Sequence, residues 1–560
     1  MVTMKQVGLN VASDPLMSLE YVGVKGGMVI LVADDPGPIS SQTEQDTRTF
    51  AAFSKVPCFD PTSAQEAYEM VQEAFEYSEK YKTPVFLRPT TRVCHGYATI
   101  EVKDAAEYKK NESEGFVKDS KRWVIFPKLS FQAHRKVFKR NVELGDAFSE
   151  YDRNVVSRKI ETRFGIATGG INYTYTMEAL GDDAEKIAIF KVATPFPFPE
   201  RKAVEYLEQL DAVLCVEELD PVIERALTYI AGKYHLPVKI YGKLTGHVAA
   251  SGENTIDSVK DSITQFLLDQ GIAADRYKAL TAGEKNNQSE ELAEMPELPV
   301  RPPVLCAGCP HRASFYDVKC AMKGKKTIFC GDIGRKSYFC GDIGCYTLGN
   351  AMPLDMVDTC LCMGAGLGIA QGVYHTEPDT TCFAFVGDST FFASAIPGVV
   401  NAVYNQADMT LIVLDNSTTA MTGHQPHPGT GHTMMGDIVN KIDIVGILKG
   451  IGLKTVETIN PFEHEAAVQT VARVAAEPGV KAIIFKSPCI AITKSSRCMH
   501  IDTDACIGCQ KCIREIGCPA LYTFEGKVCI DESLCTGCTL CSQLCPVHAI
   551  GDGQEERGQA

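Results

Sequence analysis

The chain has 560 residues, 45% of them hydrophobic, and a formal net charge of −15 from 55 Lys and Arg against 70 Asp and Glu. This length is enough for roughly three to four domains that each bury a core, and the acidic balance argues against nucleic-acid binding. The opening residues lack the features of a signal peptide, and no apolar run is as long as a membrane span. We expect a cytoplasmic protein with no nucleic-acid partner and no membrane partner.

Short apolar strands alternate with helical stretches over most of the chain, which predicts an α/β fold with parallel sheets. A charged stretch and a proline-rich acidic stretch interrupt this pattern and predict a connecting arm and a linker. The three predicted α/β domains cover residues 1–105, 155–285 and 304–497. The connecting arm covers 106–154 and the linker 286–303. The cysteine-rich domain covers 498–552 and the tail 553–560.

The third α/β domain contains a short duplication, "FCGDIGRKSY" at 329–338 followed by "FCGDIGCYTL" at 339–348. A ten-residue period that occurs twice is too short for a repeat architecture, so we interpret it as a local insertion. The second copy, with Cys345, is predicted to occupy the native strand-to-turn position. The first copy, from Gly331 to Gly334, is predicted to bulge.

Nine of the 23 cysteines lie between Cys506 and Cys545. Two triplets with C-x2-C-x2-C spacing are each followed by a Cys-Pro pair, a pattern typical of two-cluster ferredoxins in which the fourth cysteine ligates the other cluster. Structural zinc sites use C-x2-C pairs but do not account for the triplets. Cys529 lies outside the pattern and is predicted to be a buried thiol. The predicted ligands are Cys506, Cys509, Cys512 and Cys545 for the first 4Fe-4S cluster, and Cys535, Cys538, Cys541 and Cys518 for the second.

One strand ends in Gly387-Asp388-Ser389, and the next strand ends in Asn416, twenty-eight residues after Asp388. A helix between them would place both polar ends at the same edge of a parallel sheet, where α/β proteins bind ligands. The Asp388 carboxylate, the Asn416 amide oxygen and the carbonyl of Thr418 are hard ligands suited to Mg²⁺ on a diphosphate. The alternative is an ordinary aspartate and asparagine at strand ends.

Motifs along nearly the whole chain are similar to those of the indolepyruvate ferredoxin oxidoreductase family, large (alpha) subunit. They include "VGLNVASDPLM", "ATPFPFPE", "LCAGCPHR", "GDIGCYTLG", "CMGAGLGIAQG", "GDSTFF" and "DNSTTAMTGHQPHPGTGH". The resemblance implies thiamine diphosphate, Mg²⁺ and two 4Fe-4S clusters as cofactors. It also implies oxidative decarboxylation of an aryl pyruvate with coenzyme A, a smaller beta subunit in a hetero-oligomer, and ferredoxin as electron acceptor in an anaerobic setting.

The resemblance also assigns the parts of the fold. Residues 1–105 resemble an incomplete pyrimidine-binding domain, 155–285 a transketolase C-terminal domain, and 304–497 the diphosphate-binding thiamine domain, with a ferredoxin-like α+β domain at 498–552. In the family, the thiamine domain opens with a glycine turn, which corresponds here to Gly341, Asp342, Gly344 and Cys345. The resemblance therefore implies that these four residues bind the cofactor. The other expected cofactor-binding residues are Gly387, Asp388, Ser389, Asn416 and Thr418.

Several nearby residues have simpler interpretations. The Cys306 and Cys309 pair lacks two further ligands in its vicinity, so it is not assigned a metal. His424 and His427 follow the predicted Mg²⁺ turn, where surface loop histidines are the commoner case.

Two departures from the family pattern bear on activity. Relatives carry an earlier "GYPGTPSSE"-like stretch and a glutamate that activates the aminopyrimidine ring, for which this sequence offers no counterpart, so the catalytic residues stay unknown. Ala393 stands where relatives have a histidine. Two alternative hypotheses therefore remain open: an electron-transfer iron-sulfur protein with an inactive thiamine site, and a related oxidoreductase for another 2-oxo acid.

Overall fold

Alternating apolar strands and amphipathic helices build two compact units, Met1–Pro296 and Glu297–Ala560. The computed structural model describes residues 1–39, 41–102, 104–108, 115, 117–157, 162–273, 276–281, 302–323, 337–493 and 497–552. The boundary between the units falls inside the predicted linker 286–303, most of which lies outside the described residues. The first copy of the duplication, from Gly331 to Gly334, and the predicted tail 553–560 lie outside them as well. None of the helices within the described ranges is both long and apolar enough to cross a membrane.

The first unit contains two sheets. Strands β1 to β4 form a parallel sheet in the order β1-β2-β4-β3. Strands β5 to β9 form the other in the order β5-β7-β6-β8-β9, with only β5 antiparallel to its neighbour. The strands are Val2–Lys5, Val29–Ala33, Cys58–Phe59, Val85–Leu87, Val155–Ser157, Phe164–Thr168, Ala188–Lys191, Ala212–Val216 and Lys239–Tyr241, in chain order.

Helices in the first unit begin where the sequence supplies caps. The Ser63 side chain accepts a hydrogen bond from Glu66 N at 3.2 Å, and Asp46 accepts one from Arg48 N at 2.8 Å, which satisfies amides that have no partner inside the helix. The helices α1 to α11 are Gln6–Val22, Thr47–Ser54, Ala64–Tyr81, Thr91–Cys94, Ser120–Trp123, Pro127–Ser149, Ile171–Leu180, Glu200–Leu207, Val222–Lys233, Ile256–Asp269 and Lys278–Thr281, with 3₁₀ turns at Ala105–Glu107 and Gly181–Lys186.

The segment predicted as a connecting arm, 106–154, contains the 23-residue helix α6. Its Leu144 and Phe148 are fully buried, and the Phe148 ring packs edge-on against Phe59 with centroids 5.4 Å apart. This end of the segment is therefore part of the core of the first unit. The sequence predicts an arm because many positions of the helix are exposed and 7 of its 23 residues are charged.

A buried layer of charges lies at the carboxyl ends of the strands in the first unit. Arg88 binds Asp34 at 2.6 Å and Asp60 at 3.2 Å, and Arg48 binds Glu217 at 3.0 Å. These pairs join residues that follow β2, β3, β4 and β8, so ionic contacts hold the two sheets of the unit together.

The second unit is built on a five-stranded parallel sheet in the order β10-β11-β12-β14-β13. Its central strand, β12, is entirely buried, which accounts for its continuous apolar run. Strands β10 to β14 are Ser337–Cys340, Thr381–Gly387, Met409–Asp415, Val456–Ile459 and Val480–Lys486. Helices α12 to α17 are Pro310–Met322, Ala365–Thr376, Asp388–Thr390, Ile396–Tyr404, Ile444–Ile451 and His464–Ala475, with a 3₁₀ turn at Cys345–Asn350 and a π-helical turn at Phe391–Ala395.

The cysteine-rich segment shares an apolar core with that sheet. Phe339 and Phe485 of the sheet belong to the same buried cluster as Met499, Ile516 and Ile550. The segment itself consists of two antiparallel strand pairs, β15 with β18 and β16 with β17, and two short helices. Its strands β15 to β18 are Met499–Ile501, Leu521–Phe524, Lys527–Ile530 and Ile550–Asp552, and its helices α18 and α19 are Lys511–Ile516 and Leu540–Leu544.

Candidate active site and metal centres

The predicted Mg²⁺ ligands lie together at the carboxyl ends of β11 and β12. Gly387, the last residue of β11, pairs with Leu414 of β12, so the chain register brings Asp388 and Asn416 to the same edge of the sheet. The helical segment between them was predicted and is present. Asp388, Asn416 and Thr418 are all buried. The edge of the sheet thus carries a group of buried polar side chains rather than an exposed strand end.

The Asp388 carboxylate is held from three sides. Its Oδ1 accepts a hydrogen bond from Ser389 N and its Oδ2 one from Ser417 N, each at 2.8 Å. His427 Nε2 lies 3.1 Å from the same Oδ2. Burial raises the pKa of the Asp388 carboxyl, while the nearby His427 acts in the opposite direction. The surface-loop interpretation of His427 is therefore wrong, because the side chain is only 4% exposed; His424, by contrast, is exposed.

Asn416 is oriented by a histidine from helix α12. Its Nδ2 lies 3.2 Å from His311 Nε2, and its Oδ1 accepts only a long hydrogen bond, 3.4 Å, from Thr418 N. Burial lowers the pKa of His311 to about 4, so the imidazole is neutral near pH 7 and can accept the amide hydrogen. This contact orients the Asn416 amide, and its oxygen keeps lone-pair capacity for a cation.

The glycine turn predicted to open the thiamine domain reaches the same pocket. Asp342 is buried, and its Oδ1 accepts a hydrogen bond from Gly364 N at 2.8 Å. Tyr346 donates to Asp342 Oδ2 at 3.2 Å and shares a 3.0 Å hydrogen bond with Thr390. A Cβ at Gly387 would collide with the Tyr346 ring, so only glycine fits there. Tyr346 therefore fixes the turn of Gly341, Asp342, Gly344 and Cys345 against the Gly387-Asp388-Ser389 turn.

The residues present fit a Mg²⁺–diphosphate group. A carboxylate buried as deeply as Asp388 is costly unless an opposite charge compensates it, and a divalent cation would supply that charge. Carboxylate, amide and carbonyl oxygens at Asp388, Asn416 and Thr418 are the hard donors that Mg²⁺ takes, with phosphate oxygens completing the set.

The eight predicted cluster ligands fall into the two predicted groups. One cavity is lined by four of them together with Ile501, Val528 and Ile550, and another by the other four together with Cys309 and Phe462. The cysteines surround each cavity instead of meeting at one point, and across the described residues no three His, Cys, Asp or Glu side chains are placed to hold a single ion. The first group is Cys506, Cys509, Cys512 and Cys545, and the second is Cys518, Cys535, Cys538 and Cys541.

The two cysteine triplets have the same backbone geometry. Gly508 and Gly537, each just before the second cysteine of its triplet, both have φ near +66°, a left-handed conformation that glycine adopts at little cost. Backbone amides also reach the sulfurs: Met499 N lies 3.4 Å from Cys535 Sγ and Ala549 N lies 3.3 Å from Cys545 Sγ. N–H groups aimed at sulfur are the hydrogen bonds that tune iron-sulfur clusters, so both cavities fit such clusters. Cys529 is half-buried, so its prediction as a buried thiol is wrong.

The position of Cys489 was not predicted from the sequence. Its backbone N–H donates a 2.9 Å hydrogen bond to the carbonyl of Asn416, although the two residues are 73 positions apart. Burial raises the pKa of the Cys345 thiol, and Cys489 and Cys306 raise it further. Cys309, next to Cys306, lines the cavity of the second cysteine group. No spacing in the sequence predicts this position, because only the folded chain brings Cys489 back to the residues that follow β12.

Comparisons with known proteins match the parts of the chain that contain these residues. The family model for "Thiamine pyrophosphate enzyme, C-terminal TPP binding domain" matches residues 342–485, and the model for "4Fe-4S binding domain" matches residues 528–551. The indolepyruvate oxidoreductase subunit IorA of Methanothermobacter thermautotrophicus is 39% identical over 556 residues, which are 98% of this chain and 85% of the relative. The chain belongs to the IorA family. The IorA of Archaeoglobus fulgidus is 36% identical over 557 residues, again 98% of this chain and 85% of the relative.

Membership of the IorA family confirms the resemblance inferred from the motifs, and the two matched models confirm the fold class of a thiamine-enzyme α/β sheet with a ferredoxin-like segment. This IorA-family chain is thus an oxidoreductase subunit with a thiamine pyrophosphate domain and an iron-sulfur domain. Among solved structures, a 2-oxoglutarate:ferredoxin oxidoreductase from Magnetococcus marinus, with 2-oxoglutarate, coenzyme A and succinyl-CoA bound, matches 38% of this chain and 70% of that chain at 18% identity, with a TM-score of 0.29.

Proposed function

We propose that the chain is the large subunit of a 2-oxo acid:ferredoxin oxidoreductase that converts aryl pyruvates such as indolepyruvate, with coenzyme A, to acyl-CoA and CO₂. The observation that carries the proposal is the common core of the second unit: the pocket of Asp388 and Asn416 and both four-cysteine cavities are parts of one compact unit. The aryl substrate is supported by the names of the IorA relatives.

The proposed roles follow from the contacts. Asp388, Asn416 and the Thr418 carbonyl hold Mg²⁺ and the diphosphate; the amides of Ser389 and Ser417 and the side chains of His311 and His427 orient these ligands. Thiamine diphosphate bound by these residues would supply the carbanion chemistry for decarboxylation, and 4Fe-4S clusters held by the eight cysteines would accept the electrons one at a time.

We further propose a smaller beta subunit as a permanent partner, ferredoxin as the electron acceptor, and the cytoplasm as the location. The glycine turn at Gly341, Asp342, Gly344 and Cys345 contributes to cofactor binding through its contact with Tyr346. Ala393 lies exposed in the π-helical turn that follows Asp388. π-Helical turns are frequent at functional sites, so this position is proposed to face substrate.

The test is anaerobic cluster reduction by substrate. The chain, coexpressed with its candidate small subunit, receives thiamine diphosphate, Mg²⁺ and coenzyme A, and the visible absorbance of the clusters is followed after indolepyruvate is added. Bleaching that is absent in Asp388→Asn supports the proposal. Bleaching with pyruvate but not with indolepyruvate would identify a different 2-oxo acid. Clusters that dithionite reduces but no 2-oxo acid reduces would support an electron-transfer protein with an inactive thiamine site.

A further inference from the structure

Helix α12 begins beside the cavity of the second cysteine group and places a buried cation on its wall. Arg312 lies in the first turn of the helix and is only 4% exposed. It lines the same cavity as the four cysteines of that group. The loop before the helix packs directly on the second triplet, because a Cβ added to Gly308 would collide with the side chain of Thr536. The loop and the triplet therefore hold this arginine at the cavity.

Three backbone carbonyls fix the Arg312 guanidinium. Its Nη1 donates hydrogen bonds to the carbonyls of Ile516 and Gly517 at 2.6 and 2.8 Å, and its Nη2 donates one to the carbonyl of Leu305. Gly517 immediately precedes Cys518, so the guanidinium lies against the peptide bond that leads into a predicted cluster ligand. These contacts set the position of the positive charge precisely enough for it to act on whatever the cavity holds.

The charge of this arginine is not balanced by a carboxylate. Within the described ranges the guanidinium donates only to uncharged carbonyls, and its Nε is buried without a hydrogen-bond partner. Burial lowers the pKa of Arg312, while the neighbouring thiols of Cys518 and Cys309 act in the opposite direction. An arginine side chain is protonated under all ordinary conditions, so a cation remains. A buried cation is costly unless an opposite charge compensates it, and cysteine thiolates holding a cluster would supply that charge.

The cavity of the first cysteine group differs in this respect. The cation that lines it is Lys511, which is exposed. Water and salt screen an exposed charge, whereas a buried charge acts through a medium of low dielectric constant. The two cavities thus have the same cysteine spacing but different electrostatic surroundings.

We propose that Arg312 is a positioning residue that raises the reduction potential of the 4Fe-4S cluster in the second cavity. The inference rests on the proposed function, because it requires a cluster held by these four cysteines. Net charge and surroundings set the potential of such clusters, and a fixed cation stabilises the electron that reduction adds. That electron comes from the substrate, which is oxidised. Arg312 keeps its proton, and no bond forms or breaks at this residue.

The experiment is an anaerobic redox titration of the complete enzyme, the subunit with its clusters and its small partner. Electron paramagnetic resonance follows the reduced clusters as dithionite lowers the potential. Arg312→Met removes the charge and fills the space, a replacement that buried ions often tolerate. We expect the equilibrium constant for reduction of the second cluster to fall about tenfold, which lowers the midpoint by about 59 mV for one electron.

Matched variants separate charge from structure. Arg312→Lys keeps the charge and should stay within about threefold of wild type. Lys511→Met, which removes the exposed cation at the other cavity, should shift neither midpoint. The titration is repeated in Cys506→Ala, which should keep only the second cluster, and in Cys535→Ala, which should keep only the first. Arg312→Met should lower the midpoint in the former and leave it unchanged in the latter.

Each outcome decides the proposal. Equal midpoints in wild type and Arg312→Met, both with full iron content, would overturn this inference and leave the proposed function standing. A wild-type chain without iron would overturn both. If Arg312→Met loses iron, Arg312→Gln takes its place with the same expectation. Iron lost from the methionine, glutamine and lysine variants alike would show that Arg312 acts through its hydrogen bonds, against the proposal. Iron lost from both neutral variants but kept by Arg312→Lys would support it.

Discussion

His427 Nε2 lies 3.1 Å from Asp388 Oδ2, and both side chains are only 4% exposed. The histidine comes from the loop that follows β12, while the aspartate comes directly after β11, so the loop folds back over the end of the sheet. The amides of Ser389 and Ser417 fix the two oxygens of Asp388 by hydrogen bonds, and the His427 imidazole lies beside one of them. A ligand held this way needs little rearrangement when a cation binds, which is the usual benefit of a preorganised site.

Asp388→Asn should abolish binding of thiamine diphosphate with Mg²⁺, because the substitution removes the anionic ligand while preserving shape. Isothermal titration with thiamine diphosphate in the presence of Mg²⁺ measures the loss, and the iron content should stay unchanged. Asp379→Asn, an exposed aspartate just before the opposite end of β11, should bind normally. Binding by Asp388→Asn within about twofold of wild type, a difference of under about 0.5 kcal/mol, would refute the assignment.

His311→Phe should weaken Mg²⁺-dependent cofactor binding by about 10- to 100-fold, the usual effect of losing a group that orients a metal ligand. Phenylalanine fills the buried space but cannot accept the hydrogen of Asn416 Nδ2, which lies 3.2 Å from the histidine nitrogen. The measurement is a Mg²⁺ titration at saturating thiamine diphosphate. His375→Phe, at an exposed position, is the control. An equal Mg²⁺ requirement in both variants would show that His311 does not orient Asn416.

The exchange of fourth ligands between the cysteine triplets predicts a specific pattern of iron loss. Cys518→Ala and Cys535→Ala should each lose one cluster, about four iron atoms, and the double variant should lose no more, since both line the same cavity. Cys518→Ala combined with Cys506→Ala should lose both clusters. Iron and labile sulfide per chain are measured, and Cys529→Ala serves as the control with full content. The opposite pairing would indicate that each triplet uses its own Cys-Pro cysteine.

Glu218 should make the first unit less stable as the pH rises. Burial raises the pKa of Glu218 to about 7 from its ordinary 4.5, so the folded chain binds a proton that the unfolded chain has released between these values. Its contribution to stability is therefore present below pH 4.5 and lost as pH rises through 7. Glu218→Gln cannot ionise and should be more stable than wild type by about 3 kcal/mol at pH 8 and by less than about 1 kcal/mol at pH 5.

Urea unfolding followed by tryptophan fluorescence measures this difference, because the single tryptophan, Trp123, lies in the first unit. Glu205→Gln, at an exposed position on helix α8, controls for the substitution itself. Parallel pH profiles of wild type and Glu218→Gln would contradict the predicted ionisation.

The parts of the fold that were predicted correctly depend on local pattern. The closeness of Asp388 and Asn416 could be predicted from the sequence, because two parallel strands joined by a helix have their carboxyl ends at the same edge of the sheet. The division of the cysteines between two cavities could be predicted from their spacing, and their role as cluster ligands stays a prediction. The positions of His427 and Cys489 could not be predicted, because loops of irregular structure bring them back to the site. The sequence of such a loop has no periodic pattern from which its course could be predicted. Helix α6 was read as an arm because its buried Leu144 and Phe148 are few among many charged residues.

The paired cysteine triplets have a consequence for maturation of the protein. With the proposed ligands, neither triplet supplies all four cysteines of its cluster. The first triplet also needs Cys545, and the second also needs Cys518, which precedes it. Cys545 follows Cys512 by 33 positions, so the first cluster cannot have all four ligands until the chain has been made through Cys545. A chain that stops before Cys545 would also lack Ile550, which packs with Met499 and Ile516 in the same apolar cluster as the thiamine-type sheet.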